Sequence, residues 1–387
     1  MNRLGTESAF EVLARARAME NQGRKVIHLE IGEPDFDTPA HVCEAAERAL
    51  RDGHTHYVPA PGLPELRETV AGFFATTRGV TYDPNRIVVT PGAKPFLFYV
   101  ILALCDEGDE VVYPDPGFPM YESITSFAGA TPVPLPLREE NDFRVDPNEL
   151  EALIGDRTRL LILNSPHNPC GSALTPDDVF RIAEVLQGRD VFVISDEVYW
   201  AMRYAGEHRS IATVDGMSER TILLDGCSKT YAMTGWRLGF AALPQMLVEP
   251  VTRLIINSVS CTAAFVQMAA IAALAGPRDP IDEMVEEFSR RRAVIVSGLN
   301  EIEGWSCPEP KGAFYAFPNV TELGMPSTEL AAALLESTGV ACLGGTAFGR
   351  HGEGYLRFSY ANSIPNIRDA LEAIEAATPA LAGASPT

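Results

Sequence analysis

The sequence lacks the patterns that mark metal-binding, secreted and membrane-spanning proteins. Its seven cysteines, at positions 43, 105, 170, 227, 261, 307 and 342, form no CxxC pair and have no metal-ligand spacing. Such an odd, dispersed set predicts free thiols in a reducing compartment. The N-terminal stretch 1–23 alternates charged and apolar residues without a continuous hydrophobic run, so it fits neither a signal peptide nor a membrane span. We therefore expect a soluble, cytoplasmic protein that does not act in a membrane.

The chain is also short of positive charge. It carries 31 lysines and arginines against 52 aspartates and glutamates, which gives a formal net charge of −21. This excess would repel a phosphate backbone, so we expect no nucleic-acid partner. A small anionic ligand responds to local groups and is not excluded by the net charge.

Short apolar runs that alternate with helical patterns predict an α/β protein. The 387 residues are 46% hydrophobic and 21% charged, as in ordinary globular proteins, and their number suggests one large and one smaller domain. A mostly parallel sheet flanked by helices is typical of this rhythm. The predicted strands are 87–89, 110–113, 160–163, 191–194 and 221–224, and the predicted helices are 41–51, 64–77, 176–187 and 280–302.

After residue 302 the pattern changes to that of a smaller α+β unit. It contains predicted strands at 312–317, 340–343 and 355–359 and predicted helices at 327–337 and 365–376. We expect its sheet to pack with residues 1–40. The predicted division is therefore a large domain of residues 41–285 and a small domain of residues 1–40 and 286–387. The small and polar residues from about 378 to 387 predict a frayed tail.

A lysine and an arginine lie eight positions apart in the segment SKTYAMTGWRLGF, at Lys229 and Arg237. An amine can form a Schiff base with an aldehyde, and a guanidinium can hold a phosphate, so pyridoxal 5′-phosphate would need such a pair. The two residues could equally belong to a solvated face. However, Lys229 follows the apolar run 221–224, which places it at the end of a buried strand where open α/β sheets bind ligands.

A second possible anion site lies in the segment VVTPGAKPFLF. Gly92, Ala93 and Lys94 stand between a predicted strand and a helical pattern. Free N–H groups and the dipole at a helix N-terminus favour an anion there. A plain turn between strand and helix is the alternative.

Two further polar residues follow predicted strands. Asn168, in NSPHNPCG, could donate a hydrogen bond into the sheet cleft or could simply form a turn. Asp196, in VISDEVYW, stands just beyond a buried strand, where a carboxylate is costly without a positive partner. A pyridinium nitrogen could be that partner, with Tyr199 bonded to the ring's phenolate oxygen. The alternative for Asp196 is the N-cap of a helix.

Taken in order, these motifs resemble the fold-type I pyridoxal-phosphate aminotransferases of class I/II, in particular the aspartate and aromatic aminotransferase-like branch. The resemblance extends over nearly the whole chain and implies a large domain with a seven-stranded, mostly parallel sheet. The motifs that carry it are LEIGEPDFDTP (29–39), THYVPAPGLPELRE (55–68), NSPHNPCG (164–171), SDEVYW (195–200), SKTYAMTGWRLGF (228–240) and YLRFSYANS (355–363).

The resemblance implies roles for the residues around the cofactor. Lys229 would bind the cofactor covalently and, once displaced by substrate, move a proton between the substrate α-carbon and the cofactor. Asp196 would pair with the pyridinium nitrogen, and Tyr199 and Asn168 would bind the ring oxygen. The phosphate would be surrounded by Gly92, Ala93, Lys94, Ser228 and Arg237.

The resemblance also implies contacts to the ring face, the substrate and a second subunit. Phe118, in PDPGFPMY, would stack on the ring. Arg357 would hold the substrate α-carboxylate with a planar fork, next to Asn168 and the backbone of Gly32. Tyr57 would reach the phosphate in the neighbouring subunit, which makes the expected assembly a homodimer with shared active sites.

The expected activity is ping-pong transamination between an L-amino acid and a 2-oxo acid, with aspartate or an aromatic amino acid and 2-oxoglutarate as the pair that the resemblance suggests. A β-lyase of the cysteine-conjugate type is the alternative enzyme, and a sensor that binds the cofactor without catalysis is the alternative of another class. A dicarboxylate substrate needs a second cation. Sequence alone assigns this role to none of the candidates Arg17, Lys25, Arg253 and Arg291.

Overall fold

The computed structural model of this chain describes residues 4–382. Its helices are α1 (Ser8–Glu20), α2 (Ala40–Arg51), α3 (Pro64–Arg78), α4 (Lys94–Leu104), α5 (Met120–Ala128), α6 (Pro147–Leu153), α7 (Pro176–Leu186), α8 (Cys227–Thr230), α9 (Gln245–Ser258), α10 (Ala264–Ala275), α11 (Asp279–Glu301), α12 (Ser327–Thr338) and α13 (Ile364–Ala382). Its strands are β1 (Ile27–His28), β2 (Ile87–Thr90), β3 (Glu110–Asp115), β4 (Thr131–Pro136), β5 (Thr158–Asn164), β6 (Phe192–Asp196), β7 (Thr221–Gly226), β8 (Gly239–Ala242), β9 (Tyr315–Ala316), β10 (Val340–Ala341), β11 (Leu343–Gly344) and β12 (Leu356–Ser359).

A seven-stranded sheet forms the centre of the molecule. Its strand order is β2-β8-β7-β6-β5-β3-β4, and β8 is its antiparallel strand, paired with β2 and β7. The five strands predicted for this sheet are confirmed as β2, β3, β5, β6 and β7, so the predicted α/β class holds. Sequence reasoning did not predict β4, TPVPLP, whose prolines suit its edge position because proline cannot donate to a central ladder.

The parallel strands bring four connections that carry predicted site residues to one edge of this sheet. The strands β3, β5, β6 and β7 are mutually parallel in the ladder, so their carboxyl ends lie on the same side. Phe118 follows β3, Asn168 follows β5, Asp196 ends β6, and Lys229 lies in α8 directly after β7. The carboxyl edge of an open α/β sheet is where such proteins bind ligands.

Two small sheets lie in the C-terminal part of the chain, and one of them includes a strand from its beginning. The strand β1 pairs in parallel with β10, while β11, β12 and β9 form an antiparallel sheet. Residues 27 and 28 of the N-terminal part are therefore paired with the C-terminal unit. The division at residues 285 and 286 stays a proposal, and α11 runs through it without a break.

Three details of the C-terminal prediction were wrong. The predicted strand 312–317 is reduced to residues 315–316, and the predicted strand 340–343 is two strands that pair with different partners, β1 and β12. The helix α13 continues to residue 382, so residues 378–382 are not a frayed tail. Thr378 is buried, and its hydroxyl accepts a hydrogen bond from Trp305 Nε1 at 3.2 Å. The remainder of the predicted tail, 383–387, lies outside the described residues.

Several expectations about chemistry can be checked on the described chain. All seven cysteines lie within it and are free thiols, as predicted. Among residues 4–382 no cluster of three His, Cys, Asp or Glu side chains could hold a metal ion. None of the helices described there combines the length and the apolar character that crossing a membrane requires.

Candidate active site

A cavity of about 480 Å³ opens at the carboxyl edge of the central sheet. Its volume is within the range of small-molecule sites. All of the predicted site residues line it except Gly92 and Tyr57; those that do are Gly32, Ala93, Lys94, Phe118, Asn168, Asp196, Tyr199, Ser228, Lys229, Arg237 and Arg357. The structure therefore brings together residues that are up to 325 positions apart in the chain, from Gly32 to Arg357.

Lys229 is held at the end of a buried strand with its amine facing the cavity. Every residue of β7 is buried, and the Lys229 ammonium donates a hydrogen bond to the Gly32 carbonyl. Its Nζ lies 5.9 Å from the ring centroids of both Tyr199 and Phe314. Burial lowers the pKa of Lys229 to about 8, although the nearby Glu33 carboxylate opposes the shift. Such an amine is available as a nucleophile or base near neutral pH.

Asp196 is a buried carboxylate with few partners. The hydroxyl of Tyr121 donates to its Oδ2 at 2.8 Å, and the Val198 N–H lies 3.5 Å from its Oδ1. Burial raises the pKa of Asp196 to about 6, although these two hydrogen bonds oppose the rise. A cation placed against this carboxylate would favour its ionised form.

Tyr199 and Asn168 form the wall between Asp196 and the C-terminal strands. The hydroxyl oxygens of Tyr199 and Tyr315 are 2.7 Å apart. Burial raises the pKa of Tyr199 well above its ordinary value, so its hydroxyl stays protonated at neutral pH. The Asn168 N–H donates to Asn164 Oδ1 at 2.9 Å, which anchors the loop that follows β5.

Arg357 is a buried guanidinium fixed on two sides. Its Nη1 donates to Asn168 Oδ1 at 3.1 Å, and its Nη2 donates to the Glu30 carbonyl. Its Cζ lies 4.6 Å from the Tyr315 ring centroid and 4.7 Å from that of Phe348. Within the described chain its buried Nε has no hydrogen-bond partner. Aromatic packing fixes the plane of the fork, as bidentate recognition of a carboxylate requires.

Gly92 and Arg237 lie so close together that a side chain at position 92 would push the guanidinium aside. Gly92 has a φ of +86°, and a Cβ placed on it would lie 2.3 Å from Arg237 Nη2. Arg237 Nη1 donates to the Thr234 carbonyl at 2.8 Å, and the residue remains exposed. Beside them, Ala93 is the N-cap residue of α4. A guanidinium and the start of a helix thus meet at one end of the cavity, as expected for an anion site.

The side chain of Lys94 points across the cavity wall rather than to Arg237. Its Nζ forms an ion pair with Glu7 and lies 5.4 Å from the Phe118 ring centroid. Phe118 in turn packs edge-on against Tyr121, with ring centroids 5.7 Å apart. The predicted aromatic face is therefore present in the cavity.

Like Gly92, the predicted site residue Tyr57 does not line the cavity of the single chain. Its side chain is 90% exposed and is absent from the cavity wall. An aromatic residue this exposed is unusual in a globular chain, since aromatic side chains gain much free energy from burial.

Among the cavity residues that sequence reasoning missed are Glu7, Tyr121 and Tyr315. Tyr121 could have been found, because it ends the motif PDPGFPMY, in which Phe118 was predicted. Glu7 and Tyr315 carry no such local signal. Of the four cations considered for a second substrate carboxylate, none lines the cavity. Arg291, for example, is bonded to Asp35 at 2.6 Å.

Comparisons with known proteins agree with this site. The family model for aminotransferases of class I and II matches residues 24–374. The chain is 41% identical over 369 residues to the aspartate aminotransferase of Pyrococcus horikoshii, covering 95% of this chain and 93% of the relative. It is 42% identical over 354 residues to the aromatic-amino-acid aminotransferase 2 of Thermococcus litoralis, covering 90% and 91%.

A solved structure extends the similarity to the whole fold. The aspartate aminotransferase of Rhizobium meliloti superimposes with a TM-score of 0.94 at 38% identity, covering 98% of both chains. It therefore supports the arrangement of sheets described above. With the matching family model and the sequence relatives, it leads to one conclusion: this chain is an enzyme and belongs to the class I and II aminotransferase family.

Proposed function

We propose that this enzyme binds pyridoxal 5′-phosphate and uses it to transfer an amino group between an L-amino acid and a 2-oxo acid. The observation that carries the proposal is the meeting of Lys229, Asp196 and Arg357 in one cavity. A nucleophilic amine, a buried carboxylate and a substrate-facing guanidinium are the groups that this chemistry needs.

The residues of the cavity fit this cofactor in charge and shape. Asp196 is a buried carboxylate whose partners are a hydroxyl and an N–H, so a protonated ring nitrogen would supply its missing positive charge. Gly92 lies so close to Arg237 that an added Cβ would collide with the guanidinium. The backbone at Gly92 and the Arg237 guanidinium together offer hydrogen-bond donors to the phosphate. Lys229 would hold the aldehyde carbon, Ser228 would contribute its hydroxyl to the phosphate, and Phe118 would cover one face of the ring.

When bound, the protonated cofactor ring withdraws electrons from the substrate α-carbon and so makes its proton removable. Asp196 stabilises that protonated ring by its charge. Lys229 Nζ would take the α-proton of the substrate, and the pKa of about 8 suits this role near neutral pH. Tyr199 keeps its proton and can donate it as a hydrogen bond to the ring oxygen.

Arg357 would orient the substrate by its α-carboxylate. Its Nε has no partner in the described chain, and its plane is fixed between Tyr315 and Phe348. A carboxylate bound here would fix the α-carbon relative to Lys229, and such positioning lowers the barrier by removing unproductive orientations. Asn168 and the backbone of Gly32 would complete this end of the site.

The proposed reaction runs in two half-reactions on one site, so the cavity must accept two different side chains in turn. From its relatives, we propose aspartate or an aromatic amino acid as donor and 2-oxoglutarate as acceptor. None of the relatives reported above is named as a lyase, and no contact in the cavity favours the lyase or sensor alternative. The seven free thiols suit a reducing, cytoplasmic location.

We further propose that the active enzyme is a homodimer in which Tyr57 reaches the cofactor phosphate of the partner subunit. The support is the 90% exposure of this side chain in the single chain. A residue that completes the site from the partner would make cofactor binding depend on assembly.

A single-turnover experiment tests the proposed function. The protein saturated with pyridoxal phosphate is mixed with each common amino acid without an oxo acid, and the visible absorbance of the cofactor and the released oxo acid are followed. Transamination predicts at most about one equivalent of oxo acid per active site and recovery of the original spectrum on adding 2-oxoglutarate. Continuous release of oxo acid and ammonia would show a lyase instead. A cofactor spectrum that responds to no amino acid would contradict both enzyme functions.

A further inference from the structure

A buried cluster of charged residues lies directly behind the candidate active site. Arg78, the last residue of α3, donates from Nε to Glu197 Oε2 at 2.9 Å and from Nη2 to Asp225 Oδ2 at 2.5 Å. The Arg78 side chain is 0% exposed, and the two carboxylates are 2% and 1% exposed. His208 Nε2 lies 2.8 Å from the same Glu197 oxygen. The mechanism proposed above uses none of these four groups.

Three contacts of Arg78 lie close in the chain to residues assigned to the cofactor. Glu197 directly follows Asp196, and Asp225 precedes Ser228 by three positions and Lys229 by four. The Arg78 Cζ also lies 4.0 Å from the ring centroid of Trp200, which directly follows Tyr199. One guanidinium thus contacts the neighbours of the groups assigned to the ring nitrogen, the ring oxygen and the covalent link.

The cluster also joins two strands where their backbone pairing ends. In the β6–β7 ladder Asp196 is opposite Leu224, and the Glu197 N–H donates to the Leu224 carbonyl at 2.9 Å. Beyond this point the chains separate toward Tyr199 and Lys229. The bridge from Glu197 through Arg78 to Asp225 is a side-chain continuation of the ladder, and it connects the strand ends to α3.

Hydrogen bonding within the cluster is nearly complete. Ser195 Oγ donates to Glu197 Oε1 at 2.8 Å, and the Gly226 N–H donates to Asp225 Oδ1 at 2.7 Å. Arg78 Nη1 donates to Thr77 Oγ1 at 2.8 Å, so each guanidinium nitrogen has a partner. Within the described chain the buried Nδ1 of His208 is an exception, since it has no partner. The other contacts hold one geometry, because any displacement leaves a charge unpaired.

The pKa values agree with a bridge that depends on Arg78. Burial opposes ionisation of Glu197, yet His208 and Arg78 hold the pKa of Glu197 at about 2. Burial raises the pKa of Asp225 to about 7 although Arg78 opposes the rise. Without Arg78, the Glu197 and Asp225 carboxylates would share a buried space with no guanidinium between them. They would separate, take up protons or admit water.

We propose that Arg78 is a positioning residue of the active site, which holds the ends of β6 and β7 at the spacing that pyridoxal phosphate requires through Glu197 and Asp225. This inference rests on the proposed function, since it concerns binding of that cofactor. Arg78 touches neither the cavity nor the substrate and acts through the residues it bridges.

Two variants test the bridge. Arg78→Met removes the guanidinium. Asp225→Asn keeps the size of the side chain and an oxygen for the Gly226 N–H, but turns an amide toward Arg78 in place of a carboxylate oxygen. Equilibrium dialysis against pyridoxal phosphate measures the dissociation constant of each variant. We expect it to rise about tenfold or more, as when a group that supports ligand-binding residues is removed.

Arg86→Met is the matched control. Arg86 is also a largely buried arginine, and its side chain is 12% exposed. It donates hydrogen bonds to Glu219 and to the carbonyls of Leu243 and Ser218, but it lies outside the cavity. Its loss should lower the unfolding temperature yet change the dissociation constant for pyridoxal phosphate less than twofold. In saturated protein, the pH at which the visible cofactor band changes should shift in Arg78→Met and Asp225→Asn but not in Arg86→Met.

The outcomes separate this inference from the proposed function. If the wild-type protein binds no pyridoxal phosphate, both are wrong. Suppose instead that the wild type binds pyridoxal phosphate. If Arg78→Met and Asp225→Asn then bind it as well as the wild type does, or if Arg86→Met weakens binding as much as these two variants do, the inference alone is overturned. Arg78 would then have a purely structural role. If Arg78→Met does not fold, Asp225→Asn decides, since it buries no uncompensated charge: weaker binding supports the bridge and unchanged binding refutes it.

Discussion

At the scale of single residues, Lys229 has two chemical roles in the proposed reaction. Its amine must react with an aldehyde and then serve as a base, and burial lowers its pKa to suit both tasks. The chain has four lysines, at positions 25, 94, 229 and 311, so a covalent label on any of them can be assigned by peptide mapping.

Lys229→Ala should abolish the covalent bond to pyridoxal phosphate, which borohydride reduces to a stable amine in the wild-type protein. Mass spectrometry of the reduced protein measures it. Lys311→Ala is the control, because that side chain is 44% exposed, pairs with Glu309 and should not affect labelling. A label that survives in Lys229→Ala would show that another lysine holds the cofactor.

The pH dependence of covalent attachment should follow the lowered pKa of Lys229. The amine is neutral above its pKa, so attachment to cofactor-free protein should speed up as the pH rises through about 8, rather than through the ordinary value of 10.5. Stopped-flow absorbance between pH 6 and 10 measures the midpoint. A midpoint near 10.5 would mean that burial does not depress this pKa.

Arg357→Lys should weaken substrate binding while leaving the cofactor in place. Lysine keeps the charge but loses the planar fork. A hydrogen bond to a charged group contributes about 1.5–3 kcal/mol, so its loss should raise KM about 10- to 100-fold. Steady-state kinetics measure KM, and visible absorbance measures cofactor content. Arg292→Lys is the control, a largely buried arginine that donates to the Pro310 carbonyl outside the cavity. Loss of cofactor from Arg357→Lys would contradict the assigned role.

At the scale of elements, the turn between β2 and α4 depends on a glycine. The φ of Gly92 is +86°, and its Cα faces the Arg237 guanidinium. Gly108 has a similar φ of +98° but nothing within 4 Å of an added Cβ. The two positions therefore separate backbone strain from crowding of the proposed phosphate site.

Gly92→Ala should weaken binding of pyridoxal phosphate about tenfold, because the methyl group displaces a guanidinium that contributes charged hydrogen bonds. Gly108→Ala should not change this binding. Both substitutions should cost about 1–2 kcal/mol of unfolding free energy, since both force alanine into a left-handed conformation. Equilibrium dialysis and denaturant unfolding measure the two effects. Equal losses of cofactor affinity would indicate strain alone.

At the scale of the whole molecule, the proposed composite site can be tested by mixing two inactive proteins. Lys229→Ala lacks the amine but keeps Tyr57, and Tyr57→Ala lacks the tyrosine but keeps Lys229. In a hybrid dimer one site would contain both residues, so activity should rise well above that of either variant alone. Sedimentation should show a particle of about twice 42.0 kDa.

The control mixes Lys229→Ala with Arg357→Ala, both of which remove a residue that lines the cavity of its own chain. In that hybrid each site still lacks one of its own residues, so no activity should be recovered. Recovery in the control, or none in the Tyr57 mixture, would contradict the assignment of Tyr57 to the partner's site.

Much of the fold was predictable because it depends on local periodicity. Apolar runs predicted β2, β3, β5, β6 and β7, and most predicted helices end within a residue or two of the observed bounds. The wrong predictions lie where the tertiary partners of a segment decide its secondary structure. The run 340–343 is one apolar segment in sequence, yet its two halves join different sheets. Residues 378–382 have a tail-like composition, but packing against Trp305 keeps them helical.

The order and spacing of the motifs were sufficient to identify the family and eleven of the residues that line the cavity, because each motif carries its own strand end, turn or helix start. Tertiary structure alone decided which other groups meet them. Tyr315 bonds to Tyr199 across 116 positions, and Arg78 reaches Glu197 and Asp225 across 119 and 147. Such contacts leave no periodic trace in the chain, since they depend on how whole elements pack. It was packing, too, that kept Arg17, Lys25, Arg253 and Arg291 out of the cavity and left Tyr57 exposed on the surface.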